Sequence, residues 1–254
     1  MIRLVQPGSG PDRDLIVAYH VGAFDALRAA AWSDACVLAD VSGRYQAPRR
    51  LDVVEQLAHE LAPGAWRIRH RVLVAWSMGC VGPRELLRGG ARPDVVVALD
   101  GTAGAKGSAI PSDHYVMPWR ELAERARRGE CLAVLAHTYQ TYTERLPSEQ
   151  RFPSTVRVLR MATGWPLERG GPATAPVETV EGGLVVASYA SASIDAQAHV
   201  DQVAIALPDL FARHVRAPRT HDRHAAPRRP RDLLVAGGRW SVFCVDSRGH
   251  RDLG

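Results

Sequence analysis

The sequence has 254 residues, of which 46% are hydrophobic and 23% are charged, and its formal net charge at pH 7 is +5. This composition is typical of an ordinary globular protein and excludes disordered and collagen-like chains. The positive charge is concentrated in residues 216–254, which hold nine arginines and four aspartates, so that residues 1–215 are neutral overall. Because a nucleic-acid-binding fold should carry its basic face within the fold itself, we expect no nucleic-acid partner.

Membrane insertion is also not expected from the sequence. The first residues, M-I-R-L-V-Q-P-G, lack the apolar region of a signal peptide. Uninterrupted apolar runs such as V-V-V-A-L at 95–99 are much shorter than the roughly 20 residues that span a bilayer. The four cysteines are far apart and form no C-x-x-C pair, which favours buried free thiols. We therefore expect a cytoplasmic protein with no membrane partner.

Short, continuous apolar runs recur along the chain and predict buried parallel strands, because a strand that is covered on both faces has no polar alternation. The predicted strands are 14–19, 35–40, 71–76, 95–100, 132–136 and 184–189. Predicted helices lie between or after them, at 24–31, 51–61, 83–88, 118–128 and 199–214. This alternation predicts an α/β fold, with a doubly wound, mostly parallel sheet that is flanked by helices.

Two regions depart from the alternation. Residues 152–183 contain an additional predicted extended run, T-V-R-V-L-R at 155–160, followed by a Gly/Pro-rich stretch that suggests an excursion or hairpin. Residues 216–254 are rich in Pro, Arg and His without apolar periodicity, which predicts a linker or tail. The predicted organisation is thus one domain over 1–215 and a basic C-terminal tail over 216–254.

The segment V-L-V-A-W-S-M-G-C-V-G-P-R-E-L-L-R-G-G at 72–90 carries the strongest indication of chemistry. A predicted strand ends at Trp76, Ser77 lies on the turn, and a predicted helix follows. This is the strand–serine–helix pattern of a nucleophile elbow, whose sharp turn requires small residues two positions before and after the serine. Ala75 and Gly79 occupy those positions. The pattern predicts Ser77 as a nucleophile, although a packing serine at a strand end would have the same sequence.

With its A-W-S-M-G elbow and its order of strands and helices over residues 14–214, the sequence resembles the α/β-hydrolase superfamily of serine esterases and lipases. Ala75 replaces the first glycine of the usual G-x-S-x-G pattern. Only 30 residues separate Asp100 from Cys131, which leaves no space there for the large cap domain that many relatives have.

The resemblance implies an oxyanion hole. The family expects a loop after an earlier strand that often contains His-Gly, and here the strand at 14–19 is followed by H-V-G-A-F. The backbone N–H groups of Met78 and of Val21 or Gly22 would hold the oxyanion. A turn glycine beside a buried histidine is the alternative interpretation.

The family's chain order of serine, acid and histidine implies the other catalytic residues. His199 follows the last predicted core strand and is expected to be the general base. Asp100, at the end of the strand after the elbow, is favoured as the acid because ligands bind at the carboxyl edge of such sheets. Glu144 is the alternative acid, since it follows the next strand, where the family more commonly places it.

These roles predict a serine hydrolase that cleaves a carboxylic ester through an acyl-enzyme, with a small acyl ester as substrate and no cofactor or metal. The residues predicted to line the substrate site are His20, Trp76 and His137, the last also being the alternative base. An acyltransferase or thioesterase would use the same residues. A non-catalytic binding protein of the same fold would lack a working acid or base.

Two further patterns give weak support to other functions. The segment G-T-A-G-A-K-G-S at 101–108 fails the phosphate-binding pattern because Lys106 precedes the last glycine instead of following it. His221, Asp222 and His224 could contact a metal, but they lie in the basic tail without further ligand residues nearby. We therefore expect neither nucleotide nor metal binding.

Overall fold

The structure is a computed structural model. It describes residues 2–20, 25–27, 34–40, 50–101, 104–138, 142–167, 170–171, 175–190 and 196–215. For residues 142, 196–198 and 201–202 it describes the backbone only. The predicted tail at 216–254, with His221, Asp222 and His224, lies outside the described residues.

A sheet of eight strands forms the centre of the fold, in the order β1-β3-β2-β4-β5-β6-β8-β7. Its strands are β1 Ile2–Gln6, β2 Asp12–Tyr19, β3 Ala35–Asp40, β4 Arg67–Trp76, β5 Val95–Leu99, β6 Leu132–His137, β7 Val177–Glu181 and β8 Leu184–Ser188. Strands β3, β2, β4, β5, β6 and β8 pair in parallel, whereas β1 and β7 pair antiparallel at the two edges. Residues that follow β4 and β5 are thus brought to the middle of the carboxyl edge.

Helices cover both faces of the sheet. They are α1 Leu51–Leu61, α2 Val81–Arg88, α3 Asp113–Arg127, α4 Tyr142–Arg145, α5 Thr155–Thr163 and α6 Ala196–His214. The apolar sides of α1, α2, α3 and α5 pack on one face, and those of α6 and of Leu27 pack on the other. In β4, Leu73 and Ala75 face the first layer, while Val74 and Trp76 face the second. This two-sided burial explains why the second half of β4, residues 72–76, is apolar at every position.

The six strands predicted from continuous apolar runs are confirmed, and so is the α/β class. The two edge strands were not predicted. The edge strand β1 alternates half-buried and exposed residues, and β7 is mostly exposed, so neither forms an apolar run. Strand β7 lies within residues 152–183 and pairs antiparallel with the predicted core strand β8.

The prediction of an extended run at 155–160 is wrong, because these residues belong to helix α5. The letters T-V-R-V alternate in polarity as in a strand, but the whole run T-V-R-V-L-R fits a helical period. Val156 and Leu159 are buried, while Arg157 and Arg160 are exposed. The helix ends at Gly164, which adopts the left-handed conformation (φ 73°) that a helix C-terminus often requires.

The other predicted helices agree with the structure except at their ends, whereas the short helix α4 has no counterpart among the predictions. Helix α3 begins at Asp113 and contains Pro118, the residue at which the sequence pattern placed the start. Residues 25–27 are helical, and the rest of the predicted helix at 24–31 lies outside the described residues. Within the described part of the chain, no helix combines the length and apolarity needed to cross a membrane.

Candidate active site

The turn that carries Ser77 joins β4 to α2 at the centre of the carboxyl edge. Trp76 is extended (φ −132°, ψ 144°), and Ser77 begins a single 3₁₀ turn, Ser77–Cys80, which continues into α2. Ser77 has a φ of 54°, in the left-handed region that costs a residue with a Cβ about 1–2 kcal/mol. A serine held in such a conformation at a strand end indicates a constraint of functional interest.

Glycines allow the elbow to fit against its neighbours. A Cβ on Gly79 would collide with the backbone carbonyl of Tyr19 at the end of β2. A Cβ on Gly101 would collide with the backbone oxygen of Ser77 and with the Cys80 side chain. The requirement for a small residue two positions after Ser77 therefore arises from contact with β2. Position 101 likewise requires glycine, because it lies against the elbow itself.

Asp100 follows β5 and lies on the same edge as Ser77. Its φ of 50° is also left-handed, a conformation that aspartate tolerates better than most residues. One carboxylate oxygen, Oδ2, lies 3.1 Å from Nδ1 of His199 on α6. The same carboxylate accepts hydrogen bonds from the Thr138 backbone N–H (3.1 Å, to Oδ1) and from the Thr138 hydroxyl (to Oδ2). The structure thus brings Asp100 and His199 together in a buried pair.

The surroundings of Asp100 favour its ionised form. Burial alone would raise the pKa of this carboxyl, but the hydrogen bond and charge of His199, together with the two hydrogen bonds from Thr138, outweigh burial and lower it. Asp100 is therefore a carboxylate at neutral pH, and it orients His199 so that Nδ1 faces the carboxylate.

Trp76 contacts two histidines at the site. Its ring stacks on that of His199, with centroids 4.9 Å apart and an interplanar angle of 24°. The ring of His20 meets the indole edge-on at 4.6 Å. Only 1% of Trp76 is exposed, so this residue offers little surface to a substrate, the role predicted for it. Its ring instead packs against His199.

His20 directly follows β2 and is partly buried, with a left-handed φ of 86°. The neighbouring predicted oxyanion-hole residues, Val21 and Gly22, lie outside the described residues. Met78, whose backbone N–H was the other predicted donor, directly follows Ser77, and its side chain is 60% exposed.

His137, the alternative base, is buried at the end of β6. Its Nε2 lies 2.8 Å from the Ser188 hydroxyl at the end of β8. Burial lowers the pKa of His137 to about 4, although the Asp100 charge opposes the shift. The side chain is thus neutral at neutral pH, and with 1% exposure it offers little surface for substrate binding.

Glu144, the alternative acid, has a different role in the structure. Its Oε1 accepts hydrogen bonds from the hydroxyl (2.7 Å) and the backbone N–H (3.1 Å) of Ser154, the residue before helix α5. Its Oε2 accepts a hydrogen bond from Arg157 at 3.2 Å. Glu144 thus holds the start of α5 in place, while Asp100 is the carboxylate that contacts His199.

The hydrogen bonds of the described residues include none between Ser77 and His199. Hydrogen bonds between a nucleophile and its base are often long in the absence of substrate and shorten when substrate is bound. Trp76, which directly precedes Ser77 in the chain, stacks on the imidazole of His199.

Sequence reasoning missed Thr138. Its position is the available signal. Thr138 directly follows β6, which pairs with β5, and Asp100 directly follows β5, so their polar side chains lie at the same sheet edge and can meet.

The described residues contain no group of three or more His, Cys, Asp or Glu side chains that could hold a metal. Three of the cysteines, Cys36, Cys80 and Cys131, are buried free thiols.

Comparison with known proteins does not place the chain in a family, since no protein-family model and no curated protein matches it.

Proposed function

We propose that this protein is a serine hydrolase of the α/β-hydrolase type that cleaves a carboxylic ester through an acyl-enzyme intermediate. The observation that carries the proposal is the buried Asp100–His199 hydrogen bond beside Ser77, whose strained backbone holds it on a sharp turn at the same sheet edge. The chain order of serine, aspartate and histidine is also that of this superfamily.

The proposed reaction begins with Ser77 as the nucleophile. Because Nδ1 of His199 faces Asp100, Nε2 is the nitrogen that would take the Ser77 proton as the hydroxyl attacks the acyl carbon. The negative charge that develops on the acyl oxygen would be held by the Met78 backbone N–H and by a donor from the Val21–Gly22 segment. His199 would then return the proton to the leaving alcohol, and water would release the acyl group by the same steps in reverse order.

The ionised Asp100 and the Trp76 ring have supporting roles in this proposal. The carboxylate stabilises the imidazolium that forms when His199 takes the proton, and it fixes the imidazole tautomer. Stacking on the indole fixes the plane of the imidazole.

Two other histidine–carboxylate contacts in the structure differ from the Asp100–His199 pair in their surroundings. Asp14 contacts His70 at 2.8 Å, but it also forms a salt bridge with Arg69 at 2.6 Å. His214 contacts Glu178 at 3.0 Å, and this carboxylate also pairs with Arg213. In both cases an arginine balances the carboxylate, as expected of ion pairs that hold elements together, whereas the Asp100 pair lies beside a serine on a strained turn.

The proposal is tested by rapid mixing of the protein with p-nitrophenyl acetate or butyrate. We expect a burst of p-nitrophenol close to one equivalent per chain, followed by slower turnover, because the acyl-enzyme forms before it is hydrolysed. Absence of both burst and turnover with these esters, and with the corresponding thioesters, would favour a binding protein of the same fold.

A further inference from the structure

We propose that Thr138 is the positioning residue for Asp100, and that its two hydrogen bonds hold the carboxylate in the orientation that His199 requires. This inference rests on the proposed function, since the pair it positions is the proposed acid and base.

The contacts of Thr138 constrain the carboxylate at both oxygens. Its backbone N–H donates to Oδ1 at 3.1 Å, and its hydroxyl donates to Oδ2, the oxygen that also faces Nδ1 of His199. Two donors from one residue, one on each oxygen, prevent the carboxylate from rotating about its terminal bond. Because rotation would move Oδ2 away from the imidazole, Thr138 controls the geometry of the pair.

Thr138 is itself held firmly by the sheet. It follows β6, and the backbone N–H of Asp100 donates to the carbonyl of Ala136 at 2.9 Å, two residues before Thr138. The Tyr189 N–H donates to the carbonyl of His137 at 2.9 Å. Thr138 has no exposed surface. If its hydroxyl is removed, solvent water therefore cannot readily take its place as a hydrogen-bond donor to Asp100.

Among the described residues, the ionisable groups that face Asp100 include His199 from α6, His137 from β6 and Cys80 from the 3₁₀ turn. Burial lowers the pKa of His137 to about 4, and burial and the Asp100 charge raise the pKa of Cys80 well above its usual value. Both groups are therefore uncharged at neutral pH. The described groups that stabilise the Asp100 charge include His199 and the two hydrogen-bond donors of Thr138.

The experiment compares Thr138→Val with Thr138→Ser and with a matched control, Thr143→Val. Thr143 is also buried, but its hydroxyl has no hydrogen-bond partner in the described part of the chain, so the control makes the same chemical change away from Asp100. We expect Thr138→Val to lower kcat for p-nitrophenyl butyrate by about tenfold to hundredfold, the usual effect of a hydrogen bond to a charged group, with little change in KM. Thr138→Ser, which keeps the hydroxyl, and Thr143→Val should remain close to wild type.

The titration of Asp100 separates a positioning role from a merely structural one. Loss of the hydroxyl removes a donor that favours the ionised form, so the pKa of Asp100 should rise. Thr143→Val, which removes no hydrogen bond to Asp100, should leave the pKa of Asp100 unchanged.

A second readout does not depend on turnover. The ¹³C NMR titration of the Asp100 carboxyl carbon should give a higher pKa in Thr138→Val than in wild type and Thr138→Ser. If this pKa is unchanged in the valine variant, or if the variant keeps wild-type kcat, Thr138 does not position Asp100. If the wild type shows no Ser77-dependent turnover, the proposed function fails, whereas the titration still decides the contact of Thr138 with Asp100.

Discussion

Replacement of Ser77 by alanine is expected to lower kcat for short p-nitrophenyl esters by at least about 10³-fold, because the nucleophile that forms the acyl-enzyme is removed. Alanine keeps a Cβ at the left-handed position (φ 54°) and removes only the hydroxyl, so the turn should keep its shape. The loss should therefore appear in steady-state turnover and as the disappearance of the burst, while the thermal unfolding midpoint stays close to that of wild type.

Ser154→Ala provides a control for the Ser77 variant. Ser154 is a buried serine whose hydroxyl contacts Glu144 at the start of α5, so its loss tests the effect of deleting a serine hydroxyl elsewhere in the fold. We expect it to lower stability by about 1 kcal/mol and to leave the burst intact. If Ser77→Ala retained the burst and most of the turnover, Ser77 could not be the nucleophile.

Asp100→Asn should lower kcat by about 10⁴-fold, whereas Glu144→Gln should change it little. Asparagine has nearly the same shape as aspartate and tolerates the left-handed conformation at this position (φ 50°), so the backbone should not change. It lacks the negative charge, however, and it presents an amide N–H₂ where His199 and Thr138 both need an acceptor. The imidazolium would then lose its stabilising charge, and His199 could adopt the wrong tautomer.

Glu144→Gln is the matched control because it makes the same change from carboxylate to amide. Its effect should appear in the stability of α5, whose start Glu144 supports through Ser154, rather than in kcat. The measurement is the kcat of both variants with one ester, together with their thermal unfolding midpoints. Equal small effects on kcat would exclude both carboxylates, and a large effect of Glu144→Gln alone would make it the acid.

The central part of the fold could be predicted because burial leaves a strong pattern. Strands such as β5 are covered by helices on both faces, and V-V-V-A-L is apolar at every position for that reason. Edge strands β1 and β7 have one partner each and alternate or expose their side chains, so their sequences resemble those of loops. The helix at Thr155–Thr163 begins with T-V-R-V, whose alternating polarity predicts a strand, and only the longer run shows the helical period.

The candidate site was predictable to the extent that it follows from local sequence. Ser77 lies in a contiguous pattern with Ala75 and Gly79 around a sharp turn, and the structure has this turn. The choice between Asp100 and Glu144 was not local, since it depends on which carboxylate the sheet brings to His199. The role of Thr138 likewise depends on which strand ends lie side by side in the sheet. No spacing in the sequence predicts its hydrogen bonds to Asp100.

The most direct test of the proposed chemistry is covalent labelling of the wild-type protein with a fluorophosphonate, followed by peptide mass spectrometry. A fluorophosphonate reacts with a serine whose hydroxyl is activated by a base and whose oxyanion site accepts the phosphonyl oxygen. We predict one label per chain, on Ser77, with loss of labelling in Ser77→Ala and strong slowing in Asp100→Asn. A label on another serine, or no label on Ser77 in a folded protein, would contradict the assignment of Ser77 as the nucleophile.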